Sequence, residues 1–468
     1  MADESKAKIP VLAKIASDKV FCYVSMALLV FLPVAEIIQE FLKATRNKAF
    51  RFMYPSYYQP YIVAVFGIAL TLLVILSFVA RAMSGKFKFY VADVFYLTLT
   101  AFMLISMFCS VNFGVFANGQ VFYMEHPLHF LCYYGLYFAG TMIQDDNLRK
   151  KLIYSYVIIA VIEGIVAFLQ TRGIEIAYCL YSDNKPSYTA SYGTLQNTNF
   201  YATLSCVLTA MCSGLFIFSS KLIKRKPLKW VVFGITLVVF YTMLESGARL
   251  AWVGMIAMIL AYIVSLIIMR KGAIDKDSLR QITIDFLTMI IGYVAVIIVM
   301  IITDYSYVSE RVEQTTHDTV SAIGTDDFGS GRGEIWRAAL SSVPHHWATG
   351  IGLDNLVQAF REMPGWKEGD YMQAKGHSEY IHTLATQGVF AITNYIALLF
   401  YAGVTSVKRI VKETDDTKRS LLWLFFGVFI AYVAQAIFSS SIMNVAPYFW
   451  IILGLVTPRL KPISFKKS

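Results

Sequence analysis

The stretch "DFLTMIIGYVAVIIVMIIT" (residues 285–303) carries one charged side chain, Asp285, at its first position. An α-helix needs roughly 20 such residues to cross about 30 Å of hydrocarbon. Outward from it, eleven further runs read the same way: 20–42, 60–80, 90–111, 127–144, 152–170, 200–219, 229–245, 250–269, 389–407, 421–438 and 445–457. The whole chain agrees. Its 468 residues are 57% hydrophobic and 15% charged, against about 25% charged in soluble domains, and the mean hydropathy is +0.56. The expected fold is an all-α polytopic membrane protein with about 12 transmembrane helices. The opening segment "MADESKAKIPVLAKIASDK" is polar, and the run after it is too long for a signal h-region and lacks a small-residue cleavage site. It is expected to stay as a transmembrane helix. All six cysteines but Cys179 lie in these spans, without metal-ligand or redox spacing, and read as packing residues.

A net charge of +10 resembles a nucleic-acid signal until the charges are placed. Segments 1–19, 81–89, 145–151, 220–229, 270–284, 408–420 and 458–468 hold 28 of the 41 basic residues. They share one side if the N-terminus is cytoplasmic, so the positive-inside rule puts both termini in the cytoplasm. The excess is a topology signal, and no nucleic-acid partner is expected. One outer connection departs: "KATRNKAFR" (43–51) carries four basic residues, a local exception or a contact with anionic lipid phosphates.

This divides the chain into a cytoplasmic segment 1–19, nine helices over 20–303, an outer connection 304–388, three helices over 389–457 and a cytoplasmic tail 458–468. Connections of about 85 residues are functional or disordered. Trp336, Trp347 and Trp366, with amphipathic patterns at 333–343 and 353–363, argue for a folded helical subdomain.

Four outer features carry polar chemistry. In "SYGTLQNTNFYA" (191–202), asparagines suit sugar hydroxyls or phosphate oxygens, and equally a helix cap. In "LESGARLAWVG" (244–254), Arg249 sits at a junction of two spans. An ionisable residue there marks a functional site, a pair with Glu245, or a side chain snorkelling to headgroups. In "GSGRGEIWRAAL" (329–340), glycines flank Arg332 and leave backbone N–H groups to cradle an anion, although a solvated turn reads equally well. Segment 304–376 holds 11 acidic against 6 basic residues, so Arg332 is not part of a basic surface. In "GHSEYIHTLATQG" (376–388), His377, Glu379 and His382 are spaced H-x-E-x-x-H, which argues against zinc, and no metal is expected. A histidine suits general-base work near neutral pH, and His382 reads as an ordinary packed or solvated residue.

In order and spacing, with "PHHWATGIGLDN" (344–355) between the last two, these motifs resemble the O-antigen ligase and polymerase superfamily of bacterial envelope enzymes over about 190–400. The resemblance implies a GT-C-like glycosyltransferase of the bacterial cytoplasmic (inner) membrane. Such an enzyme moves a glycan from undecaprenyl diphosphate to a hydroxyl of a glycan or lipid-linked acceptor at the outer face, with membrane lipid around it and no cofactor. The family's functional residues fall on Arg249, Arg332 and His377, with Trp336 completing the R-x-x-x-W spacing and Asn199 in the Asn-rich turn. Arg249 and Arg332 would hold the diphosphate and His377 would take the acceptor proton, with Glu379 or Asp354 orienting it or binding sugar. Ser378 stands where the family often has Asn, Gln387 where a Glu is frequent, and "LQNTNF" lacks a proline often found there. A lipid-linked glycan flippase or other transporter is the alternative. It explains the spans but not the long outer connection with its Arg/His set.

Overall fold

The computed structural model describes residues 14–45, 58–84, 88–112, 125–174, 190–271, 275–303, 328–363, 365–367 and 372–463, with isolated positions 12, 114, 176 and 313. Residues 46–51 of the basic stretch 43–51 lie outside the described residues, as do most of 112–126, part of 171–199, and 304–327 apart from 313. Among the described residues, regular structure is entirely helical. Ten helices are long and apolar enough to cross a membrane. They are α1 (Asp18–Thr45), α2 (Tyr58–Met83), α3 (Val91–Phe108), α5 (Asp146–Gln170), α6 (Thr198–Ile217), α7 (Lys226–Glu245), α8 (Leu250–Lys271), α9 (Lys276–Thr303), α12 (Glu379–Lys412) and α13 (Asp416–Gln435). Between them lie α4 (Pro127–Met142), α10 (Phe328–His346), α11 (Leu356–Arg361) and, last, α14 (Ala446–Val456).

Two of the twelve expected spans are therefore short. α4 has 16 residues and α14 has 11; at about 1.5 Å per residue, α14 covers about 16 Å, roughly half the hydrocarbon thickness. Length is not demanded of them, because protein surrounds both. Cys132–Thr141 of α4 and all of α14 are buried. α9 lies at the rim, with Ile291 69% and Ile302 77% exposed, an apolar surface suited to lipid.

α4 and α14 cross at Gly140 and Gly454. A Cβ on Gly454 would stand 2.1 Å from the Tyr137 carbonyl oxygen, and one on Gly140 would stand 2.4 Å from that of Ile451. Small residues let two backbones approach where apolar transfer from lipid supplies no drive. Tyr448 of α14 donates its hydroxyl to the Leu29 carbonyl of α1 at 2.9 Å. At one end of the bundle Asp93 accepts from Arg81 at 3.0 Å and from Arg459 at 2.7 Å, tying α2, α3 and the C-terminal segment together.

At the other end, α10 and α11 carry the two expected amphipathic patterns. Ala339, Ile351, Leu356, Ala359 and Ala385 form one small core, and Ile335, Ala338 and Phe360 another. The sequence starts a span at 389, yet α12 begins at Glu379 and is broken at Gly388 (φ +84°). The break follows from a close approach, since a Cβ on Gly388 would stand 2.4 Å from the Ala348 carbonyl oxygen. Freed from helical bonding, the carbonyls of Ala385 and Thr386 accept from the N–H groups of Ile351 (2.9 Å) and Gly352 (3.0 Å), and Val389 N–H donates to Trp347 (2.7 Å). The second limb, 389–412, then runs about 36 Å at 1.5 Å per residue, the depth of a bilayer core.

Gly454→Ala is expected to destabilise the protein by about 1–3 kcal/mol through overpacking against backbone. Gly234→Ala in α7, where nothing lies within 4 Å of the new methyl, is expected to be neutral or mildly stabilising. Thermal unfolding in detergent compares the two, and equal melting temperatures would contradict the tight crossing.

Candidate active site

Where α10 begins, Gly331 takes a left-handed backbone (φ +81°) with open space around it, directly before Arg332. Four residues on, and so on the same helical face, Trp336 donates Nε1–H to the Gly376 carbonyl at 3.0 Å and stacks on Phe438, centroids 6.1 Å apart. The residue after Gly376 is His377. Its backbone is left-handed (φ +46°), a conformation that costs a non-glycine residue about 1–3 kcal/mol unless its surroundings hold it. Here they do. His377 N–H donates to Ser440 Oγ at 2.9 Å, and Glu379 N–H donates to the Ala436 carbonyl at 3.0 Å. Ser378 Oγ caps α12 by accepting from Ile381 N–H. Burial first, and then the Arg332 charge, lower the His377 imidazole to about 4. The structure thus brings Arg332, Trp336 and His377 together, with the imidazole neutral at physiological pH.

Two residues before His377, the buried Lys375 ammonium donates to Glu125 Oε2 at 2.5 Å and to Asp354 Oδ1 at 2.9 Å. Burial pulls this ammonium down, but Asp354 and Glu125 more than reverse it, so Lys375 stays charged. Glu125 also accepts from Tyr133 OH at 2.5 Å. Asp354, expected to orient the base or bind sugar, lies on a left-handed backbone (φ +55°) and is held by this lysine. Glu379, with the same expected role, accepts from Tyr395 OH at 2.7 Å and Tyr432 OH at 2.8 Å. Both carboxylates are buried and serve internal contacts.

Next to this cluster lies a cavity of about 40 Å³, lined by Glu125, Tyr133, Glu379, His382, Gln387 and Trp450 among others. A space of about 10–15 Å³ accommodates one water, so there is room for a few. His382 Nδ1 is buried without a hydrogen-bond partner among the described residues. The residue read as ordinary therefore lines a mostly apolar chamber beside the site.

Asn197 caps α6, its side chain accepting from the N–H groups of Asn199 (2.8 Å) and Phe200 (3.3 Å). This leaves the Asn199 side-chain amide with no hydrogen bond among the described residues. One turn on, Thr203 Oγ1 donates to the Asn199 carbonyl at 2.9 Å and shares a 2.6 Å bond with Ser439 Oγ. Residues 436–445 consequently bridge Asn199 and His377, through Ser439 to one and Ser440 to the other. Arg249 is half-buried in the turn between α7 and α8. That turn is held to α6 by the 2.6 Å Tyr201–Thr242 hydroxyl bond and the Cys206 thiol on the Ala251 carbonyl at 3.7 Å.

Residues 232–396 match the family model described as O-antigen ligase. Over this stretch, about a third of its length, the chain is similar to the O-antigen ligase family. The match runs from α7 into the second limb of α12 and contains Arg249, Arg332, Trp336, Asp354, His377 and Glu379. No curated protein matches the chain. The family supports ligase- or polymerase-type function in general, on a multi-pass membrane protein handling lipid-linked glycans.

Lys375, Glu125 and Ser440 escape a reading of the sequence. Lys375 offers only its place beside His377 in an acidic stretch, and Glu125 only a charge just before the Pro127 helix start. Replacing Lys375 by Met strands two buried carboxylates, an expected loss of about 3–5 kcal/mol. Adding Glu125→Gln and Asp354→Asn to Lys375→Met is expected to recover much of it. Thermal unfolding of purified variants reads both, and a Lys375→Met protein melting like wild type would refute the triad's structural role.

Proposed function

We propose that the protein is a glycosyltransferase that moves a glycan from undecaprenyl diphosphate to an acceptor hydroxyl, at the outer face of the bacterial cytoplasmic membrane. The observation that carries this reading is the pairing of Arg332 with a buried, neutral His377, inside the O-antigen ligase-type region. In the reaction, the acceptor oxygen attacks the anomeric carbon as its bond to the diphosphate oxygen breaks. Charge grows on the departing diphosphate, and Arg332 and Arg249 stabilise it with planar forked donors. The acceptor proton passes to His377, the only proton acceptor a single displacement requires. Asn199, with an uncommitted amide, and Trp336 are assigned to substrate contacts. Glu379 and Asp354 are assigned to holding the base and its loop, as their buried bonds support. The site at the helix ends favours this over a transporter, whose sites sit near the bilayer midplane.

A strain lacking the native gene and carrying His377→Ala is expected to lose glycan product by about 10²–10⁴-fold, the usual worth of a positioned base. Wild-type product from a membrane-inserted variant would overturn the assignment. In the same strains, shortened chains indicate a polymerase, whereas normal-length but unanchored glycan indicates a ligase.

The pH dependence follows from the imidazole. The neutral form is the working one, so kcat/KM is expected to hold through neutral pH and fall only as pH drops through about 4. A bound diphosphate offsets the Arg332 charge, so the acid limb of kcat is expected at higher pH than that of kcat/KM. Coincident limbs would count against an Arg332-bound diphosphate.

A further inference from the structure

The second limb of α12 ends about 36 Å from the candidate active site, taking 1.5 Å per residue, and its last turn faces an open cleft of about 710 Å³. That cleft is lined by Gln144, Arg409, Lys412, Arg459, Leu460 and Lys461, with Pro458. Four cations line it and no carboxylate does. Arg459 is already committed to Asp93 at 2.7 Å and to Thr141 Oγ1 at 3.1 Å. Arg409, Lys412 and Lys461 have no ion-pair partner among the described residues. A fifth cation, Arg149, lies within electrostatic range of Arg409 and is held by the Ile143 carbonyl at 3.0 Å and by Asp146 at 3.2 Å. The nearest acid in sequence, Glu413, turns its Oε1 to the backbone N–H groups of Thr414 and Asp415.

Cytoplasmic-side lysines and arginines are normally spread out and solvated, and the positive-inside rule needs nothing more of them. Here the end of α12 and the C-terminal segment place theirs around one concavity. Like charges this close repel unless a counter-charge sits among them. The cleft lies at the end of the bundle opposite the candidate site and exceeds the needs of a single phosphate. We infer that this cleft is a binding site for a phosphate-bearing anion, with the two-phosphate headgroup of a cardiolipin-type phospholipid of the adjoining leaflet as its occupant. Arg409 supplies a forked donor to phosphate oxygens, and Arg459, held by Asp93, adds its charge beside it. Lys412 and Lys461, both exposed at the rim, supply mobile charge.

The test uses the full chain in nanodiscs of phosphatidylcholine with graded cardiolipin, with bound lipid counted by native mass spectrometry. Lys412→Gln/Lys461→Gln is expected to weaken cardiolipin retention about thirty-fold, from about five-fold per cation near a membrane surface. Arg270→Gln/Lys271→Gln, cations at the end of α8 outside the cleft, is expected to leave retention unchanged. Inorganic pyrophosphate, added to the chain in detergent, separates the sources. Stabilisation of wild type but not of the cleft variant extends the site to free phosphates, and no effect restricts it to lipid. Equal retention by wild type and cleft variant, or equal loss in both double variants, overturns the site. Both double variants replace surface side chains, and glycan transfer enters neither readout.

Discussion

A single buried ammonium holds the His377 end of the helix bundle together. Lys375 is bonded to Glu125 before α4 and to Asp354 before α11, so it joins segments 250 and 21 residues away in the chain. Removing one partner from a buried charge set costs far more than the set contributes, because it leaves a bare charge in a low dielectric. The described residues before α12 are therefore fastened to the bundle core rather than resting on it. His377, two residues further on, inherits its place from that fastening. A left-handed histidine is unfavourable in isolation; here Lys375 on one side, and the bonds to Ser440 and Ala436 on the other, hold it.

The second requirement is room for an irregular backbone at membrane depth. Unpaired peptide groups are not tolerated against lipid, but they are tolerated when protein surrounds them. α14 is short and wholly buried, so residues 436–445 occupy the space a full-length span would fill. There they offer Ser439, Ser440 and the Ala436 carbonyl to the site. The Gly140–Gly454 crossing makes this possible by drawing α14 against α4 along backbone rather than side chains.

These features also explain what a sequence discloses here. A long lipid-facing helix such as α9 writes its burial in one dimension, as an unbroken apolar run, and is legible. α4 and α14 write the same run but are shielded by protein, so apolarity overstates their reach. The grouping of Arg332, Trp336 and His377 is legible through an R-x-x-x-W spacing on one helical face and a histidine at a helix start. The capping asparagine was anticipated as a type of residue, but only the fold separates Asn197, which caps, from Asn199, which does not. Glu379 looked available for substrate because its tyrosine partners, Tyr395 and Tyr432, lie inside apolar spans. Nothing local distinguishes them from packing aromatics. The Lys375–Glu125 bond, spanning 250 positions, is a tertiary fact without a local trace.

The adjacency of Arg332 and His377 has a thermodynamic consequence that runs in both directions. The guanidinium holds the imidazole deprotonated by repulsion, added to the cost of burial. An anion seated on Arg332 removes that repulsion, so it raises the affinity of His377 for a proton. By linkage, protonation of His377 must tighten the same anion by the same factor. Proton and anion thus cooperate, and in the proposed transfer an acceptor proton would reach a base whose affinity is highest while the diphosphate is still bound. In that proposal, departure of the diphosphate restores the Arg332 field and would expel the proton, resetting the base without a further catalytic group. On the proposed function, the pairing that depresses the resting imidazole is the same one that would make it a base while the anion is bound.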